Sequence, residues 1–197
     1  CGGSSKSNTN NDNFDRPALI QSWANDVILP SYAAFVTDAI ALRDAVASYN
    51  ASMASDADAQ EQALNEAQDA WRLAMVQWQK NEALRMGPAG SSSVTGFKGG
   101  EDLRDKIYSW PTVSSCRVDQ ELVSREYDDD DFFQSETVNV YGMAALEYLL
   151  FNESLEHSCP SQVALNESWD ALSESEIIQR RAKYAERVAG YVLDVAE

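Results

Sequence analysis

Apolar residues recur at helical spacing from the start of the first structured segment. Asp15 precedes Pro17, a pairing that is typical of a helix start. The apolar positions that follow at steps near three and four are Ile20, Trp23, Val27, Phe35, Ala39, Leu42, Val46 and Tyr49. Pro30 lies inside this pattern and is expected to kink or interrupt the helix. The pattern predicts one long helix of a bundle.

The rest of the chain shows the same periodicity between Gly, Pro and Ser punctuation, without a convincing alternating strand. We predict a second helix over about 56–86, stopped by Gly87 and Pro88, and shorter helical pieces near 101–109 and 117–127. A further helix is predicted over about 135–152. Ser173 and Glu176 have capping-box spacing and predict the start of a last helix. The chain is therefore predicted to be all-α, as an up-down, four-helix-like bundle.

The 197 residues carry a formal net charge of −17. A phosphate backbone would be repelled by such a chain, so we predict no nucleic-acid partner. Cations and basic surfaces fit the charge better. The alternative is that the acidity only keeps the protein soluble.

The N-terminal sequence begins with Cys1 and continues as a polar run of Gly, Ser and Asn. It is similar to a mature bacterial lipoprotein, in which the first cysteine carries lipid. Such a run lacks the apolar surface needed to fold, so residues 1–14 are predicted to be a flexible tether. No apolar run approaches the ~20 residues that span a bilayer. We therefore expect an extracytoplasmic protein attached to a membrane through lipid on Cys1 alone, with a chance terminal cysteine as the alternative.

The two remaining cysteines are Cys116 and Cys159. An even pair in an oxidising compartment predicts a disulfide. A loop of this length would constrain the unfolded chain by roughly 4 kcal/mol. Metal-ligating thiolates are the weaker alternative, because neither cysteine has a Cys or His neighbour at ligand spacing.

Three charged residues lie on apolar helical stripes. Glu82 and Arg85 continue the stripe of the second helix, and Glu147 shares a face of the 135–152 helix with Val140, position 144 and Phe151. A buried, unpaired carboxylate costs several kcal/mol, so these groups should be paired, bound to a ligand or open to a cleft. Two interpretations stay open: Arg85 pairs a carboxylate and fixes helix register, or the charges line a polar site between helices.

Three ordered blocks carry a resemblance to a known family. They are Gly142-x-Ala144-x-x-Glu147, the block from Trp78 to Pro88 and the block from Asp105 to Pro111. These segments resemble the imelysin family, whose motif reads Gly-x-His-x-x-Glu, so Ala144 stands where that family has its histidine. The resemblance covers residues 15–197 and implies the N-terminal half of a fold in which two helical bundles pack together.

The resemblance also implies a function. Imelysin-like proteins are extracytoplasmic, often lipoproteins associated with iron uptake, and the founding member was described as a peptidase. Iron or another divalent metal is the implied cofactor, and an iron-uptake protein or a metal complex is the implied partner. Carried over, the metal ligands are Glu82 and Glu147, and the other ligand-site residues are Arg85, Asp105, Gly142 and Ala144. Because Ala144 offers no lone pair, we expect binding without catalysis. A metallopeptidase and a structural interaction module are the alternatives.

Overall fold

The structure, a computed structural model, describes residues 14–93 and 99–197. Its ordered elements are helices, and no strand occurs in these two ranges. The all-α prediction is therefore confirmed. The predicted lipid carrier Cys1 and its tether, apart from Phe14, lie outside the described residues.

The helices have the following bounds. They are α1 Arg16–Trp23, α2 Leu29–Ala51, α3 Ala57–Asn81, α4 Leu103–Ile107, α5 Ser115–Ser124, α6 Phe132–Ser135, α7 Met143–Phe151, α8 Asn166–Asp170 and α9 Glu174–Ala196. Four of them form a closed ring, because α2 packs on α3 and α9, and α7 packs on both α3 and α9. This arrangement agrees with the predicted four-helix-like bundle.

The core of the ring combines the predicted stripe of α2 with the apolar faces of α3, α7 and α9. Its fully buried large side chains include Phe35, Trp78, Leu146 and Tyr184. Burying side chains of this size contributes roughly 1.5–3 kcal/mol each relative to exposure. None of the described helices is both long and apolar enough to cross a membrane.

The start of the first helix is as predicted, and the α-helix is interrupted just before Pro30, in agreement with the expectation for this proline. The Asp15 carboxylate accepts a hydrogen bond from the Ala18 N–H at 2.9 Å, which caps α1. A single π-helical turn over 24–28 then joins α1 to α2. Pro30 has no N–H to donate and its ring would crowd the carbonyl of residue 26. The backbone widens before the proline and continues, which is a recognised way to absorb such a residue.

The predicted core face of the first helix is wrong at its N-terminal end. Ile20, Trp23 and Val27 are exposed, whereas Phe35 and its successors are buried. In the described ranges, α1 has only isolated contacts with helices other than the π turn and so offers no surface to bury these residues. Periodicity finds an apolar face, but only a neighbouring element can cover it.

The second helix ends earlier than predicted. It stops at Asn81, and a 3₁₀ turn over Glu82–Leu84 follows, before Gly87 and Pro88 are reached. Glu82 thus marks the end of α3, where the backbone turns away from the helix axis. This turn decides what the Glu82 side chain can contact.

The predicted 135–152 helix is also shorter in the structure. α7 begins at Met143, and the segment before it contains a separate 3₁₀ turn over Val138–Val140. Val140 therefore does not share a helical face with position 144 and Glu147. The start of α9 is as predicted, since Ser173 and Glu176 form a complete capping box.

Candidate functional site

Glu82 is held by three side chains at the end of α3. Its Oε1 accepts a hydrogen bond from Trp78 Nε1 at 3.1 Å and from Arg104 Nε at 2.9 Å. Arg85 Nε lies farther away, 3.7 Å from Glu82 Oε2. The Glu82 side chain is 23% exposed and that of Arg104 is 16% exposed, against 53% for Arg85. The main ionic partner of Glu82 is therefore Arg104, and Arg85 is a weaker second one.

Arg104 is a site residue that sequence reasoning missed. It lies on α4, and its Nη1 also donates to Asp105 Oδ1 at 2.9 Å and to the Trp110 carbonyl at 3.0 Å. Burial alone would lower the pKa of Arg104, but Asp105 and Glu82 raise it above its ordinary value. No stripe or motif marked this arginine, because its role depends on where the 99–113 segment folds.

A small cleft of about 300 Å³ opens beside this ion pair. It is lined by Arg85, Arg104, Asp102 and Asp105 together with the backbone of 89–91. Asp102 accepts hydrogen bonds from the backbone N–H and the hydroxyl of Ser92, and these bonds lower the pKa of Asp102. The charged groups that line the cleft thus have hydrogen-bonding or ionic partners.

Gly142 positions the start of α7. Its φ is +83°, and a Cβ built on it would lie 2.9 Å from the Lys106 carbonyl oxygen and 3.0 Å from that of Ile107. Only glycine allows this close approach of α7 to the end of α4. Trp71 Nε1 donates to the Met143 carbonyl at 2.9 Å and ties the same point to α3. Gly142 therefore has a structural role at the predicted motif.

Ala144 and Glu147 lie one helical turn apart on α7 and line a second hollow of about 370 Å³. The other lining residues are Val113, Ser115, Tyr148, Phe151 and Asn152. Ala144 is buried, whereas Glu147 is exposed and makes no ion pair in the described part of the chain. The sequence predicted that Glu147 would be paired, bound to a ligand or open to a cleft, and in the structure its carboxylate is open to a cleft.

The pKa of Tyr108 is affected by charged residues of both hollows. The Arg104 guanidinium lies 5.5 Å from the centre of its ring. Burial, Glu147 and Glu82 raise the pKa of Tyr108, while Arg104 lowers it. Glu82 and Glu147 thus both act on Tyr108, but Glu147 lines the second hollow and Asp105 the first, while Glu82 lines neither. Within the described ranges these three carboxylates do not form a group whose oxygens all lie within 4.8 Å. The metal site at Glu82 and Glu147 remains a prediction.

The predicted disulfide is present and helps to hold α7. Cys116 on α5 is bonded to Cys159 in the loop after α7. The adjacent Ser158 donates through its N–H and its hydroxyl to Asp119 Oδ2, which also accepts from the Tyr148 hydroxyl at 2.9 Å. Burial and the Asp119 carboxylate raise the pKa of Tyr148 to about 12, although the hydrogen bond with Ser158 acts to lower it. Tyr148 therefore faces the hollow as a neutral phenol next to Glu147.

The comparison with protein families gives one match. A family model described as imelysin, peptidase M75, matches residues 28–196. No curated protein and no solved structure gave a significant match. The matched range contains all three sequence blocks and both hollows described above. Since the match covers most of the chain, the protein belongs to the imelysin family.

Proposed function

We propose that this imelysin-family protein is an extracytoplasmic lipoprotein that contributes to iron or haem acquisition. It would act by binding a metal, a metal complex or a partner protein, and not by catalysis. Cys1 would carry the lipid, and the net charge of −17 would favour cationic or basic partners. The observation that carries the proposal is the hollow in which the Ala144 methyl group lies beside the exposed Glu147 carboxylate.

The donor set in that hollow favours binding over hydrolysis. Metal-assisted hydrolysis needs an ion held by several protein ligands so that it activates a water molecule. Ala144 supplies no lone pair, and Tyr148 is held as a neutral phenol by burial and Asp119. Glu82 is already paired with Arg104, so a metal at Glu82 would have to displace a 2.9 Å ion pair.

The first test is a calorimetric titration of the purified protein with Zn²⁺ and, under anaerobic conditions, with Fe²⁺. Ala144→His is the informative variant, because an imidazole one turn from Glu147 would give two ligands on one helix face. Ala144→Ser is the matched control, since it changes size little and adds no imidazole. If only Ala144→His binds, the natural protein acts on a metal complex or a partner. Tight binding by the natural protein would support direct metal binding.

Two further measurements test the cellular part of the proposal. Mass spectrometry of the natively expressed protein should find lipid on Cys1, and an unmodified Cys1 would contradict the lipoprotein assignment. A deletion strain should grow poorly when iron is scarce and normally when iron is plentiful. Equal growth of the deletion and parent strains under iron starvation would contradict the role in acquisition.

The family's name provides a second candidate, a metallopeptidase. It predicts that the pure protein cleaves a protein substrate, and that both a chelator and Glu147→Gln abolish the cleavage. Glu61→Gln is the matched control, because that carboxylate is exposed and lies outside the Glu147 hollow. Cleavage with this pattern would replace our first proposal.

A structural interaction module is the third candidate. The observation in its favour is the Glu82–Arg104 ion pair, which joins the end of α3 to α4. A fully packed Glu147 would also favour it, but Glu147 is exposed. This candidate predicts that Glu147→Gln leaves both growth under iron starvation and binding to cell extracts unchanged.

A further inference from the structure

A groove along α9 contains none of the residues discussed above as site residues. Its volume is about 850 Å³, compared with about 370 Å³ for the Glu147 hollow. It runs along the C-terminal half of α9 and is bordered by α2, α4 and the 130–134 segment. This size is sufficient for a small organic molecule.

The floor of the groove contains Gly190, in the interior of α9. Glycine is unfavourable inside a helix relative to alanine. A Cβ added at Gly190 would meet no atom within 4 Å, so close packing does not require glycine at this position. Because Gly190 has no side chain, the groove stays open at this position.

Three of the residues that line the groove are basic. Arg43, Lys106 and Arg187 line it and are all half-buried. Lys106 has no carboxylate within ion-pair distance among the described residues, although its charge reaches Asp102 and lowers the pKa of that carboxyl group. Arg187 donates to the backbone carbonyls of Tyr127 and Asp129, and Arg43 pairs only with a solvent-exposed aspartate next to it in the chain. The lining of the groove thus contains these three cations together with four carboxylates, those of Asp130, Glu186, Asp194 and Glu197.

The acidic residues of the groove are placed differently. Asp130, Asp194 and Glu197 are exposed, so water can solvate their carboxylates. Glu186 is half-buried and accepts a hydrogen bond from Asn50 Nδ2 at 2.7 Å. Among the described residues that line the groove, Lys106 and Arg187 are therefore the half-buried cations without a carboxylate at ion-pair distance.

An aromatic wall completes the groove. Tyr191 stacks on Phe133, with the ring centres 4.1 Å apart and the planes 3° from parallel. Tyr141 contacts both rings edge-on. These contacts hold Tyr191 in a fixed orientation next to Gly190, and a fixed ring favours a flat, apolar ligand group.

We propose that the groove along α9 binds a small aromatic organic acid, with its ring over Gly190 beside Tyr191 and its acid group against the basic walls. Ammonium and guanidinium groups donate charge-assisted hydrogen bonds to carboxylates, and the ring supplies apolar contact area. The proposal is independent of the proposed iron function, because the groove shares no lining residue with either hollow.

The test uses 2-naphthoate as the probe, with 2-naphthamide and 2-naphthylmethylamine as neutral and cationic analogues. Calorimetry on the full chain should show saturable binding of the acid, at least about tenfold weaker binding of the amide and no binding of the amine. Gly190→Trp should abolish binding by filling the groove, while its control Gly190→Ala should leave binding unchanged. Circular dichroism should show that both variants keep their helical content, since Gly190 has open space around it.

A second pair of variants tests the charge. Lys106→Gln should weaken naphthoate binding about tenfold or more, because it removes a half-buried ammonium group. Lys80→Gln removes an exposed lysine outside the groove and should have no effect. The proposal is overturned if millimolar naphthoate does not bind, if the amide or amine binds as well as the acid, or if folded Gly190→Trp still binds it.

Discussion

Replacing Arg104 with methionine should destabilise the protein far more than the same replacement of Arg85. Glu82 and Arg104 are 23% and 16% exposed and lie 2.9 Å apart, whereas Arg85 is 53% exposed and 3.7 Å away. Exposed ion pairs are worth about 0–1 kcal/mol, and removing one partner of a buried pair costs about 3–5 kcal/mol. We therefore expect Arg104→Met to lower the free energy of unfolding by about 2–3 kcal/mol, and Arg85→Met by less than about 1 kcal/mol.

Urea unfolding followed by circular dichroism at the helix band measures both effects. A double-mutant cycle separates the ion pair from the other bonds of Arg104, to Asp105 and the Trp110 carbonyl. Glu82→Gln should lower the free energy of unfolding clearly less in the Arg104→Met variant than in the natural protein. In that variant Glu82 has already lost its main partner, so the substitution removes no Arg104–Glu82 ion pair. A coupling energy near zero, or an equal cost for Arg85→Met, would refute the assignment of Arg104 as the main partner.

Three further predictions concern stability. Gly142→Ala should lower the free energy of unfolding, measured with urea, by more than about 2 kcal/mol, because its Cβ would lie 2.9 Å from a carbonyl oxygen. Gly87→Ala is also at positive φ but has open space around it, so it should lower this free energy by about 1 kcal/mol. Equal effects of the two variants would contradict the close-approach argument. Burial, opposed by a neighbouring arginine, raises the pKa of Glu121 from 4.5 to about 7, so the folded protein holds a proton that the unfolded chain releases between these values. Stability should then rise as pH falls through this window, and Glu121→Gln should flatten the dependence of urea midpoints on pH; an unchanged slope would contradict it. Replacing Cys116 and Cys159 together with serine should lower stability by about 4 kcal/mol under oxidising conditions, and natural protein treated with a thiol reductant should match that variant.

The all-α class and the bundle could be predicted because they rest on local spacing, and the family could be predicted from the resemblance of three sequence blocks. Phe35 to Tyr49 recur at helical steps, and the structure buries them. Asp15 and the Ser173–Glu176 pair cap their helices with bonds that span three residues, so they depend little on the rest of the fold. The disulfide followed from counting cysteines. Whether residues 15–197 are one half of a two-bundle fold remains a prediction.

Contacts between distant segments were decided only by the tertiary structure. Arg104 pairs with Glu82 across 22 positions, because a short helix without a strong pattern folds back on the end of α3. Gly142 has a φ of +83°, outside the helical region, so the predicted long helix is divided before Met143, and the Lys106 and Ile107 carbonyls leave no space for a Cβ at this point. Ile20 and Trp23 are exposed because no helix of the described ranges packs closely on their face of α1. Sequence periodicity reports which face of a helix is apolar, but burial and ion pairing depend on what that face or charge meets, and that is a property of the whole fold.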